Sequence, residues 1–108
     1  MLPFSNMFLK RACGIHILIN EEVTHLFKAL SHPIRVDILD LLTKGPLSTG
    51  ELSEHFEVSR YAIMKHLKVL DDVLLIVVSR QGRIRLNYLN IIPLQEVYNR
   101  WVSGGKSR

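Results

Sequence analysis

Residues 59–70 read Ser59-Arg60-Tyr61-Ala62-Ile63-Met64-Lys65-His66-Leu67-Lys68-Val69-Leu70. At 3.6 residues per turn, Ile63, Leu67 and Leu70 fall on one side of a helix, a stripe suited to a core. Tyr61, Met64, Lys65 and Lys68 repeat the i, i+3, i+4, i+7 spacing on another side, with Arg60 at the N-terminal edge. Ser59 is placed to cap the helix start. A solvated face explains the cations but not the Tyr and Met beside them. A major groove admits one helix, and residues near the N-terminus of that helix reach base edges. In that geometry Arg60 and Lys65 donate to guanine or phosphate, Tyr61 and Met64 offer apolar contact to thymine methyls, and Lys68 meets phosphate.

Moving upstream, Glu57-Val58 is a tight connection, and a short helix through Leu52 and Phe56 precedes it. Ser48 and Glu51 have capping-box spacing, each satisfying an orphan amide at that helix start. A short helix, a brief turn and a longer helix make the helix-turn-helix pattern. Leu47 reads as a short extended segment. Before it, Pro33 opens a helix whose buried side is Ile34, Ile38, Leu41 and Leu42, and Lys44-Gly45-Pro46 closes it. Val23, Leu26, Phe27 and Leu30 form one further amphipathic stripe, broken by Ser31-His32-Pro33.

Downstream, Leu74 to Ser79 is apolar and β-branched, Arg80-Gln81-Gly82 is turn-like, and Ile84 to Leu89 alternates. These residues predict a β-hairpin in which Gly82 supplies the positive φ of the reversal. Ile84, Leu86 and Tyr88 share one side, and Arg85, Asn87 and Leu89 the other. Arg80, Gln81 and Arg83 make a basic tip able to straddle phosphates or probe a minor groove. A last helix runs from Pro93 to about Val102, with Leu94, Val97, Tyr98 and Trp101 at helical spacing. The expected fold is mainly α with a small β-hairpin: a winged helix-turn-helix of about five helices and a two-stranded wing.

Charge follows the same division. Residues 1–59 carry 5 Lys/Arg against 7 Asp/Glu, and residues 60–108 carry 9 against 3. An excess of cations in one half suits a polyanionic partner, because neutralised phosphates release condensed counterions. The chain has room for one domain and a single core. Residues 1–20 read as an N-terminal extension, 21–103 as the DNA-binding and dimerisation domain, and 104–108 as a tail. Lys10-Arg11 and the interrupted apolar run Ala12 to Ile19 lack the length and cleavage site of a signal peptide. No run reaches the ~20 apolar residues of a membrane span, so the expected location is the cytoplasm. The single cysteine, Cys13, has no intrachain disulfide partner.

The run Leu26-Phe27-Lys28-Ala29-Leu30-Ser31-His32-Pro33-Ile34-Arg35, then Gly50-Glu51-Leu52, then residues 58–70, resembles the ArsR-type family of bacterial and archaeal repressors. Arg80-Gln81-Gly82-Arg83 and Tyr88-Leu89-Asn90 extend the resemblance, which covers about residues 21–103. It implies a winged-helix dimer that represses transcription and releases DNA on a signal. Its DNA-contacting residues would be Ser59, Arg60, Tyr61, Met64, Lys65, His66, Lys68, Arg80, Gln81 and Arg83, with His66 either packing or meeting phosphate. Its dimer interface would be Val23, Leu26, Phe27, Leu30, Leu94, Val97, Tyr98 and Trp101, on the first and last helices. Such a homodimer would read half-sites one or two helical turns apart on double-stranded DNA.

The chain departs from the family at two places. His32 stands where Asp or Asn is usual, so a helix cap is expected to be lost. Leu74 stands where Gly is usual, so either Leu adopts a left-handed turn or the helix ends differently. Relatives that sense metals use a cysteine pair before the turn or an Asp/His/Glu cluster on the last helix. Glu51-Leu52-Ser53-Glu54-His55-Phe56 has no cysteine, and the last helix offers only Glu96. No metal site and no cofactor is therefore expected from these residues, and they leave the effector unknown. No nucleophile–base grouping or phosphate-cradling glycine loop suggests an enzyme. The alternative is a winged-helix module that binds protein, whose recognition face would be acidic or apolar.

Overall fold

The computed structural model describes residues 20–103. The expectations for Cys13, for residues 1–19 and for residues 104–108 lie outside them. Helix α1 spans Asn20–Ala29, with Glu21 and Glu22 in its first turn and Lys28 in its last, charges that complement the helix dipole. Helix α2 spans Pro33–Leu42. Strand β1, Leu47–Ser48, leads directly into α3, Thr49–Ser53. Helix α4 spans Arg60–Asp72, strands β2 and β3 span Ile76–Gln81 and Ile84–Leu89, and α5 spans Ile92–Tyr98. A π-helical turn, Asn99–Ser103, continues α5.

The capping box at the head of α3 is formed in both directions. Glu51 N–H donates to Ser48 Oγ at 3.0 Å, and Ser48 N–H donates to Glu51 Oε1 at 2.9 Å. Ser59 Oγ accepts from Ala62 N–H at 3.1 Å, which fixes the start of α4. The expected loss of a cap at α2 does not occur. His32 replaces the missing carboxylate or amide, its Nδ1 accepting from Ile34 N–H at 3.2 Å.

At the other end of α4 the left-handed alternative is the one adopted, with Leu74 at φ +63°. Leu75 N–H donates to Leu70 O at 2.9 Å, and Leu74 N–H donates to Asp71 O at 3.0 Å. These two bonds are the 6→1 and 5→2 pair of a Schellman motif, with Leu70 and Leu75 both fully buried beneath it. Asn90 supports the turn from the side, donating through Nδ2 to Leu74 O at 2.7 Å and through its amide to Leu75 O at 2.9 Å.

The sheet is antiparallel and has three strands rather than the two expected, in the order β1-β3-β2. Leu47 pairs with Asn87 and Ser48 with Leu86. Gln81 pairs with Ile84, so the wing reverses in two residues, Gly82 and Arg83. Gly82 carries the positive φ of +66°, as the first position of such a reversal requires. Alternation along β3 is as read from the sequence, but its more polar side is the one turned inward. Asn87 is fully buried while Ile84 and Tyr88 are exposed.

The core joins Ile38, Leu52, Ile63, Leu67, Leu70, Leu75 and Ile76 to Leu26 and Ala29 of α1 and Val97 of α5. Three residues assigned to the dimer interface, Val23, Leu26 and Val97, are thus taken up by the chain's own core. Helices α2 to α4 and the hairpin alone do not close it, and α1 and α5 cover what they leave open. No helix among the described residues is long and apolar enough to cross a membrane.

Candidate nucleic-acid interface

The two faces of α4 separate as the spacing predicts. Ile63, Leu67 and Leu70 are buried, which anchors the helix against α2, α3 and β2. Tyr61 is 68% exposed and Met64 43%, and Arg60, Lys65 and Lys68 are exposed beside them. Lys65 Nζ lies 5.4 Å from the centre of the Tyr61 ring, a cation–π approach one helical turn apart. Lys68 Nζ forms an exposed ion pair with Asp72 at 3.0 Å. Such a pair is weak in water and opens readily to another anion.

His66 departs from this face. It is half-buried, its Nδ1 lies 3.1 Å from Arg35 Nη1, and its ring centre is 4.4 Å from that of His32. Burial first, then the charges of His32 and Arg35, holds the His66 ring below its ordinary 6.5. Of the two roles expected for His66, packing or a phosphate contact, its contacts with Arg35 and His32 at the start of α2 favour packing.

The wing brings a second set of cations beside α4. A cleft of about 300 Å³ is lined by Gly50, Arg60, Met64, Arg80, Arg83 and Arg85. Arg60 reaches it with its guanidinium lying over Gly50 in the first turn of α3. Arg80, Gln81 and Arg83 are exposed at the wing tip. Arg85 lies deeper, its Nε buried and without a hydrogen-bond partner. It lies close enough to Asp71 to act on it. Burial and Asp72 push the Asp71 carboxyl above its usual range, and Arg85 and Lys68 pull it back. Four guanidinium groups around one cleft form a site for anionic oxygen, since arginine only donates.

Asn87 is the positioning residue that the sequence reading did not single out. Its Nδ2 donates to Leu47 O at 3.1 Å and lies 3.3 Å from Thr49 Oγ1, tying the wing to the entry of α3. A polar residue between Leu86 and Tyr88 in an alternating strand was the available signal. Among the described residues no group of three or more His, Cys, Asp or Glu is placed to hold a metal ion.

A helix-turn-helix whose second helix is backed by a core, flanked by a hairpin with a basic tip, defines a winged helix-turn-helix protein. A family model described as a helix-turn-helix domain matches residues 30–79. The chain is 38% identical over 77 residues to the transcriptional repressor SdpR of Bacillus subtilis, spanning 71% of this chain and 86% of that protein. It is 37% identical over 70 residues to the arsenical resistance operon repressor of Staphylococcus xylosus, spanning 65% and 67%. An ArsR-like transcriptional regulator from Rhodococcus sp. RHA1 superposes with a TM-score of 0.68 at 28% identity, over 80% of this chain and 82% of that one. The chain belongs to the ArsR family of winged helix-turn-helix transcriptional regulators.

Proposed function

We propose that this chain is a sequence-specific DNA-binding repressor that acts as a cytoplasmic homodimer, without a metal cofactor and without catalytic activity. The observation that carries the reading is the inversion of burial across α4. Ile63 and Leu67 are inaccessible while Tyr61, Met64 and Lys65 face solvent, beside a cleft that Arg60 shares with Arg80 and Arg83. An acidic or apolar partner-binding face would look different.

The base-reading residues are Tyr61, Met64, Lys65 and Arg60 at the head of α4, and Ser59 offers its hydroxyl there. Lys68 and the wing residues Arg80, Gln81 and Arg83 hold the backbone. The dimer forms through the aromatic surface that α1 and α5 leave exposed, centred on Phe27, Tyr98 and Trp101, with the half-buried Leu30 and Leu94 beneath. Aromatic residues are favoured at such interfaces.

The reading is tested by titrating the protein with duplex DNA over a range of salt. Binding to phosphates gives log K falling linearly with log salt, with a slope of about −0.9 per phosphate neutralised. A flat dependence, or no binding at low salt, rejects the reading in favour of a protein-binding module.

A further inference from the structure

His32 and His66 are both hydrogen-bond acceptors in this fold. His32 Nδ1 receives the Ile34 amide, the first orphan donor of α2. His66 Nδ1 faces the Arg35 guanidinium at 3.1 Å. Arginine has no lone pair to give, so the proton in that bond belongs to Arg35 and Nδ1 must be bare. The same Arg35 donates through Nε to Ala29 O at 2.7 Å and through Nη2 to Lys28 O at 3.4 Å. One guanidinium therefore joins the end of α1, the start of α2 and the recognition helix. The arrangement is complete only while each imidazole presents a bare Nδ1.

We propose that His32, Arg35 and His66 form a proton-sensitive latch: bare imidazole nitrogens hold α4 to the α1–α2 junction, and protonation releases it and weakens DNA binding. The proposal rests on the DNA-binding reading above. Protonated at Nδ1, His32 gives up the α2 cap and His66 gives up Arg35. With both rings protonated, three cations would share a space in which the ring centres are 4.4 Å apart. Neither charge that acts on His66 relieves this, since His32 and Arg35 both oppose its protonation. From α1 come His25 and Lys28, and from α4 comes Asp72, which line the adjoining groove. Asp72 is already paired with Lys68.

The folded value of His66 is depressed by its burial and by the neighbouring His32 and Arg35. Above 6.5 both folded and unfolded chains leave it neutral, and the contact is fully present. As pH falls below that value the unfolded chain takes up the proton more readily, so stability drops until the folded value is reached. The effect on DNA binding runs against simple electrostatics, in which histidines gaining charge would tighten the grip on a polyanion.

The test compares the full chain with a His32→Asn/His66→Asn double variant, whose amide oxygens can accept the same bonds without titrating. Urea denaturation is read between about pH 7.5 and about pH 5.5. Resistance of the His66 ring to its proton lowers the folding constant by up to about tenfold over that range. The wild type is expected to show this loss in excess of the variant, with His16, His25 and His55 common to both. Coincident pH profiles overturn the latch. If the double variant does not fold, His66→Asn alone carries the comparison, since the His32 cap on α2 is then left in place. Binding to a mixed-sequence duplex of about 30 base pairs supplies the second readout. Wild type binding more weakly than the variant at acid pH supports the latch. Wild type gaining more than the variant means that His66 reaches phosphate, and overturns it. Absence of DNA binding by either protein at both pH values rejects the DNA reading, and the denaturation profiles then decide the latch alone.

Discussion

The Phe27 and Trp101 rings lie parallel, with their planes within 3° and their centres 5.8 Å apart, joining the outer face of α1 to the π-helical turn that follows α5. Trp101 is nonetheless 57% exposed, and Tyr98 lies exposed on the preceding turn. Nearby, Arg100 Nη2 donates to Asn20 Oδ1 at 2.6 Å and ties the same two elements. The stack therefore presents an aromatic plate to solvent, the surface proposed above for the dimer.

Trp101→Ala should weaken self-association by about 2 kcal/mol or more, the range of an aromatic hot spot. Sedimentation equilibrium at several concentrations checks this. The helix content should stay unchanged, because the ring is outside the core. A wild-type chain that is monomeric at all concentrations would remove the dimer from the proposal.

Lys68→Ala should weaken binding to all duplexes alike and make the salt slope shallower by about 1. The lost ion pair with Asp72 is too exposed to affect folding measurably. A slope equal to that of the wild type would take Lys68 out of the backbone contacts.

Tyr61→Ala should relax sequence preference at particular base pairs by about 1–3 kcal/mol while leaving the salt slope in place. Selection from a random duplex pool reads this directly. Unaltered preference would make Tyr61 a support for Lys65, whose ammonium lies 5.4 Å from its ring centre.

Leu74→Val should destabilise the fold by about 2 kcal/mol, and Leu74→Asn by less. Hydrophobicity predicts the reverse order. A β-branched residue is a genuine outlier at positive φ, whereas Asn enters that region at low cost. Chemical denaturation of the two variants decides it, and a more stable Val variant would show that packing outweighs the backbone here.

Asn87→Ala should cost about 1–3 kcal/mol, because Leu47 O loses its side-chain donor inside the fold. Tyr61 and Lys65 are untouched, so a parallel loss of duplex affinity would come from a shifted α3 or wing. Full affinity in the folded variant would mean that the wing is held by the strand ladder alone.

Much of this was legible in the residues because helix spacing and caps are local. The split of α4 into Ile63/Leu67/Leu70 and Tyr61/Met64/Lys65/Lys68 follows from its period, and Ser48, Glu51 and Ser59 cap where their spacing says. What escaped was long-range. Pairing of Leu47 with Asn87 spans forty residues, and nothing local in a two-residue strand announces a third member of a sheet. For His66 the sequence left packing and a phosphate contact both open, because the partners Arg35 and His32 are brought beside it only by the fold. Val23, Leu26 and Val97 were misassigned because an amphipathic stripe shows that a face is buried without showing by which molecule. His32 did supply a cap, since an imidazole nitrogen can accept a bond as a carboxylate oxygen does.

The short β1 strand ends at Ser48, the residue that also caps α3, and it is laddered to β3 of the wing. The head of α3 and the ribbon are therefore joined like the two arms of a calliper. If that pairing and the Asn87 side chain hold the spacing, a duplex of unsuitable groove width would itself have to deform to fit. Part of the selectivity would then lie in the mechanical compliance of the DNA, at base pairs that no side chain touches.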